Sequence, residues 1–164
     1  MVHLATGIDI QDCRQQACLQ LENGAAFKKF VDIIAALGGD VNYLHDTSLF
    51  KLASIQHEIL APVTGYISAM NAEGCGLASC LLGAGRQTVD EVINHGAGIT
   101  LKAKTGDFVN KGDVLAICYT DDERSILAAQ EVFLEGFAFT AELPVVPPLV
   151  YARVTKDEVK ISEQ

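Results

Sequence analysis

Ala97-Gly-Ile-Thr-Leu-Lys-Ala-Lys-Thr-Gly-Asp-Phe-Val-Asn-Lys-Gly-Asp-Val-Leu-Ala-Ile-Cys-Tyr119 is the stretch whose local chemistry decides the fold. Apolar runs at 99–102 and 114–119 flank two Gly-Asp pairs, Gly106-Asp107 and Gly112-Asp113. Glycine accepts positive φ because it has no Cβ to clash, and aspartate hydrogen-bonds to its own backbone, so each pair marks a turn. Between them, residues 108–111 have room for only a few ladder positions. The stretch spells strand, turn, very short strand, turn, strand. This is the pattern of a small, tightly wound β-barrel or sandwich, and it carries no catalytic side chain. The expectation is a folded accessory domain rather than a complete enzyme.

Downstream, Thr120-Asp121-Asp122-Glu123 matches a capping box ahead of Ile126, Leu127, Ala129, Val132, Phe133 and Leu134, which predicts a helix starting there. The positive end of that helix accounts for the three carboxylates better than acid–base chemistry does. Phe137 and Phe139 continue the apolar content beyond Gly136. Pro144, Pro147 and Pro148 impose an extended path, residues 149–154 alternate as a closing strand, and the charged residues 155–164 are expected to fray.

Upstream, residues 89–94 suit a short helical turn or a strand. Residues 76–82 read as an apolar, buried helix that stops at Gly83-Ala84-Gly85. Strands are expected at 55–60 and 66–70, joined by the turn Ala61-Pro62-Val63-Thr64-Gly65, with 71–74 turning the chain into the helix. Residues 40–52 form a connecting segment and the preferred domain boundary. Before it lies an αα-hairpin. Its first helix, over 10–22, carries Ile10, Cys13, Ala17, Cys18 and Leu21, with Asp9 as N-cap and Asn23-Gly24 as stop. The second, over 25–37, has Phe27, Phe30, Val31, Ile34 and Leu37 on one stripe and Lys28, Lys29 and Asp32 opposite, and Gly38-Gly39 ends it. Two helices cannot bury that stripe alone, so it must dock on something. Residues 2–9 are short and mixed, and no repeat of solenoid period is visible.

The chain has 164 residues, 49% of them apolar, which is material for one ordinary core or for one domain plus an appendage. A net charge of −9 and the lack of any basic run argue against nucleic acid and anionic membranes as partners. Apolar runs fall far short of the roughly 18 to 20 residues of a membrane span, and no signal-like N-terminus is present, so a cytoplasmic location is expected. The cysteines, Cys13, Cys18, Cys75, Cys80 and Cys118, show no Cys-x-x-Cys spacing and fit reduced, small buried hydrophobes.

Few motifs invite a chemical reading. Gly83-Ala84-Gly85-Arg86-Gln87-Thr88 has the glycines of a phosphate loop, but a phosphate loop must precede a helix and this one follows it, so a C-cap and close-packing loop is the economical reading. Arg86 is better suited to anchoring a carboxylate or carbonyl across a domain seam. His3, His45, His57 and His95 have no metal-ligand spacing, and His45-Asp46 reads as a turn feature. No Gly-x-Ser-x-Gly elbow exists. The halves 61–67 and 106–115 resemble those of a biotinyl or lipoyl domain, yet no Met-Lys-Met is present, and Lys102, Lys104 and Lys111 sit beside turns rather than at a hairpin tip. No catalytic, cofactor-binding or metal-ligating residue is therefore assigned, and no cofactor is expected.

Taken together, the residues resemble the C-terminal portion of pyrimidine nucleoside phosphorylases, including thymidine phosphorylases. The matching pieces are Asn23-Gly24-Ala25-Ala26-Phe27 with Gly38-Gly39-Asp40, then Ala61-Pro62 with Gly65-Tyr66, then Leu81-Leu82-Gly83-Ala84-Gly85-Arg86. They continue through Gly98-Ile99, the two Gly-Asp turns, and Pro147-Pro148-Leu149-Val150-Tyr151. The resemblance implies an α+β fold: an N-terminal helical hairpin (1–47) equivalent to the tail of a large α/β domain, then a barrel-sandwich, α/β-hammerhead-like domain (48–164) of short antiparallel strands with two helices. It also implies a pentosyltransferase reaction, in which phosphate attacks the anomeric carbon and releases uracil or thymine. The family's Lys-His-Ser-x-Gly-Gly phosphate segment and base-binding Arg, Ser and Lys lie upstream and have no counterpart here. The isolated chain is thus expected to be non-catalytic, with the missing upstream domains, or self-association through the helical hairpin, as its partners. A free-standing carrier or binding module, or a non-catalytic subunit, is the alternative.

Overall fold

A computed structural model describes residues 1–86 and 88–162. The chain separates into two compact units, Met1–Phe50 and Lys51–Gln164.

The first unit is helical. Helix α1 spans Val2–Thr6, α2 Ile10–Glu22, α3 Ala25–Ala36 and α4 Asn42–His45, followed by a 3₁₀ turn at Thr47–Leu49. Asp9 caps α2 as expected, its side chain accepting from the Gln11 N–H at 2.8 Å. Two departures have local causes. Residues 2–6 are helical rather than mixed, closed by Gly7 at φ 74°. The supposed connector after Asp40 holds two short helical turns, because Asp40 accepts from the Asn42 N–H at 2.9 Å and Asp46 from the Ser48 N–H at 3.0 Å. Such Asx caps nucleate turns where periodicity shows nothing. Of α1 to α4, only Cys13 is buried. Phe27, Phe30 and Ile33 on α3 and Leu37 just beyond its end remain exposed.

The second unit mixes helix with small antiparallel sheets. Strands β1 (Ile55–Leu60), β5 (Val114–Thr120) and β3 (Gly98–Leu101) form one sheet in the order β1-β5-β3. Strands β4 (Phe108–Val109), β2 (Gly65–Met70) and β6 (Phe137–Thr140) form another in the order β4-β2-β6. The quoted stretch folds as expected, β4 being only two residues long.

Its two turns are built alike. Gly106 (φ 96°) and Gly112 (φ 94°) take the third turn position, where only glycine is at ease. Asp107 Oδ2 accepts the Lys104 N–H at 2.8 Å, and Asp113 Oδ2 accepts the Asn110 N–H at 2.7 Å. Each turn then grips one residue elsewhere. The Gly106 N–H donates to the Ile67 carbonyl at 2.8 Å while the Asp107 carbonyl accepts the Ile67 N–H at 2.9 Å. Gly112 and Asp113 treat Ala61 in the same way, at 2.9 and 2.8 Å.

Helices α5 (Ala72–Ser79) and α6 (Ser125–Glu135) complete the unit. Helix α5 begins before the expected position because Asn71 caps it, accepting the Glu73 N–H at 2.9 Å. It widens into a π-helical turn at Cys80–Ala84, where Gly83 takes φ 102°. Burial is narrower than its composition suggested: Gly74, Ala78 and Leu82 face the core, whereas Leu77 is exposed. The core gathers Ile59, Ile67, Leu115, Cys118 and Phe133 at 0% exposure, and the Phe133 and Phe137 rings pack 4.7 Å apart.

Two expectations fail here. Residues 89–94 form neither helix nor strand. Residues 149–154 do not close the main sheets. Only Ala152–Val154 (β7) is extended, and it pairs with Val159–Ile161 (β8) in a separate hairpin, so the tail expected to fray holds a strand. Its last residues, 163 and 164, lie outside the described residues.

Replacing Phe133 by Ala should destabilise the second unit by about 3–5 kcal/mol, whereas Leu127→Ala on the exposed side of α6 should stay within about 0.5 kcal/mol, as read by urea denaturation.

Candidate functional site

The glycine loop, the end of β5 and the entry to β1 meet in one polar cluster. Helix α5 delivers the loop, and Gly83 hands its carbonyl to the Asn94 N–H at 2.9 Å. A Cβ at Gly85 would collide with Cys80 Sγ, so this glycine serves close packing. Arg86 is exposed, and the Gln87 of the candidate phosphate loop lies outside the described residues.

Thr120 ends β5 at 1% exposure. Its hydroxyl donates to the Leu82 carbonyl at 2.9 Å and accepts the Asp122 N–H at 3.1 Å, so this buried polar group is satisfied. This overturns the capping-box reading. Thr120 is spent on the loop, the chain turns through 121–124, and α6 starts at Ser125 without a side-chain cap. Two of the three carboxylates, Asp121 and Asp122, are likewise employed in the turn rather than at the helix end. Asp121 accepts from the Ser54 N–H (2.7 Å), the Ser54 hydroxyl (2.8 Å) and the Asn94 amide (2.9 Å), with Lys51 Nζ at 3.7 Å. Asp122 takes Arg124 in a bidentate grip, Nε at 2.9 Å and Nη2 at 3.0 Å.

The electrostatics of these groups point away from reactivity. Hydrogen bonds from Ser54 hold Asp121 below the usual carboxylate range, and those from Arg124 do the same for Asp122. A general base works best with its pKa near the operating pH, which is the opposite displacement. Burial pushes the Cys118 thiol up to about 11, so it stays protonated where a nucleophile would need to be thiolate. What the cluster can do is hold three chain segments together.

The other singled-out residues are dispersed. His3 Nδ1 donates to the Ile8 carbonyl at 2.6 Å, His45 meets the Phe27 ring edge-on at 5.6 Å, and His57 Nε2 donates to Gln130 on α6 at 2.8 Å. Among the described residues, no three His, Cys, Asp or Glu side chains are grouped to hold a metal ion, and no helix is long and apolar enough to cross a membrane. Cys118 and Cys13 are buried as expected of small hydrophobes, but Cys18 is exposed because α2 turns it away from Cys13. The bonds from Ser54 and Asn94 to Asp121 join residues far apart in sequence, and no short-range signal announces them.

Asp121 and Asp122, with pKa values depressed in the fold, contribute stability that is present above the ordinary carboxylate pKa and is lost as pH falls through their folded values. Urea midpoints should therefore drop below about pH 4, and Asp121→Asn should flatten part of that drop.

Residues 66–139 match the family described as pyrimidine nucleoside phosphorylase C-terminal domain, a span that runs from β2 to β6. A pyrimidine-nucleoside phosphorylase of Geobacillus stearothermophilus is 31% identical over 156 residues, 94% of this chain and 36% of that protein. One from Bacillus subtilis is 32% identical over 157 residues, again 36% of its length, and a thymidine phosphorylase of Colwellia psychrerythraea is 30% identical over 142 residues, 32% of its length. The chain thus spans about a third of the length of the curated relatives it matches. Built around the paired Gly-Asp turns and the glycine loop, it belongs to the pyrimidine nucleoside phosphorylase family as a C-terminal domain.

Proposed function

We propose that the chain is the supporting C-terminal lobe of a pyrimidine nucleoside phosphorylase and performs no phosphorolysis by itself. One observation carries this: the similarity runs through nearly the whole chain but reaches only 36% of the relatives' length. Residues 48–164 would be the family's barrel-sandwich, hammerhead-like domain, and 1–47 the tail of the large α/β domain. The two three-stranded sheets, stitched by twin turns, and the separate helical unit support that division.

Phosphorolysis of a pyrimidine nucleoside needs a preorganised cationic cradle for phosphate and a clamp for the base, closing over one cleft. The polar cluster of this lobe is instead centred on carboxylates already engaged by Ser54, Asn94 and Arg124, in a chain of net charge −9. In a complete cytoplasmic enzyme the lobe would act as a rigid flange that caps the large domain and moves with it as the cleft closes.

The exposed stripe of Phe27, Phe30, Ile33 and Leu37 supports upstream phosphorylase domains as the partner, since such an apolar face on a helix calls for a cover. A second copy of the chain is the competing occupant.

The test is release of uracil or thymine from nucleoside and phosphate by the purified chain, followed by absorbance. Turnover at background is expected. Sustained release that scales with protein concentration and co-elutes with the chain through size-exclusion chromatography would reject the inert lobe.

A further inference from the structure

Residues 51–54, the first of the second unit, are held from two sides. On one side Asp121 Oδ1 accepts both the backbone N–H and the hydroxyl of Ser54, at 2.7 and 2.8 Å, and Lys51 Nζ lies 3.7 Å from Oδ2. On the other side is the loop ahead of β3. A Cβ on Gly96 would stand 2.7 Å from Ala53 N and 2.9 Å from Lys51 O, so the two backbones are in direct contact. Asn94 braces both sides. Its amide donates to Asp121 Oδ2 at 2.9 Å, its Oδ1 accepts the Gly96 N–H at 3.0 Å, and its own N–H is tied to Gly83 O at 2.9 Å. Ala53, within this grip, is only 9% exposed.

Upstream the bonding changes character. Asp46 accepts from Ser48, the Phe50 N–H donates to Thr47 O at 3.2 Å, and the Phe50 ring packs on Tyr43 at 5.1 Å. Every one of these partners belongs to the first unit. The two sets of contacts meet at the Phe50–Lys51 peptide, where the compact units divide.

We infer that Asp121 is a clamp on the root of β1, which makes residues 51–54, although they belong to no helix or strand, a rigid part of the second unit. The grip on Ser54 stops backbone rotation in this stretch from spreading into β1. The inference does not depend on the phosphorylase reading, because it needs only the contacts around Asp121.

Hydrogen–deuterium exchange on the intact chain tests it. In the wild-type protein the Ser54 amide should exchange at least about tenfold more slowly than an unstructured amide. Asp121→Ala should remove most of that protection in a peptide covering 51–56, while peptides covering Leu115 and Cys118 in β5 keep theirs. Ser54→Ala, which deletes the hydroxyl but keeps the amide bond, should lose less. If Asp121→Ala folds and the 51–56 peptide exchanges as in wild type, the clamp is refuted. If that variant does not fold, the wild-type reading decides alone: a Ser54 amide exchanging at its unstructured rate refutes the clamp, and slow exchange upholds it.

Discussion

Two backbone exchanges hold this molecule's larger unit in register: Gly106-Asp107 with Ile67, and Gly112-Asp113 with Ala61. Ile67 and Ala61 are 0% and 3% exposed, so their amides and carbonyls have no water to fall back on and must be met by protein. Meeting both from one short segment fixes where β4 lies on β2 and where β5 leaves for β1. A one-residue slip would unpair all four groups and turn Leu115 and Cys118 out of the core. Strand β5 is the centre of its sheet, and the glycine loop then docks on its last residue through Thr120.

Much of this was legible because it is local. The Gly-Asp turns declare themselves, since Gly106 and Gly112 need positive φ and the aspartates cap their own turns. The αα-hairpin is legible through the Phe27 and Phe30 stripe and the Asp9 cap. The misreadings occur where a local signal is taken over by a distant partner. Thr120-Asp121-Asp122-Glu123 is a fair capping box by spacing, but Leu82 claims the threonine and Ser54 and Asn94 claim Asp121. No window of ten residues contains those partners. Residues 149–154 alternate as a core strand should, yet β7 finds its partner in β8 and stays outside the main sheets. The pattern defines a strand and leaves its neighbour open.

The same division governs function. Family membership rests on short motifs spread in order along nearly the entire chain, and the relatives confirm it over 94% and 95% of its length. Chemistry rests on convergence of side chains in space, and the convergence seen here is structural: Asp121 bonded by Ser54 and Asn94, Asp122 by Arg124, Thr120 by Leu82. Their groups are held ionised or satisfied, which suits a scaffold and not a proton shuttle.

If the chain is the supporting lobe proposed above, substrate recognition lies on polypeptide other than these 164 residues. Isothermal titration of the purified chain with thymidine in excess phosphate measures this most directly. The account predicts no saturable heat up to about millimolar nucleoside. A one-to-one isotherm in that range, lost when phosphate is withheld, would contradict it.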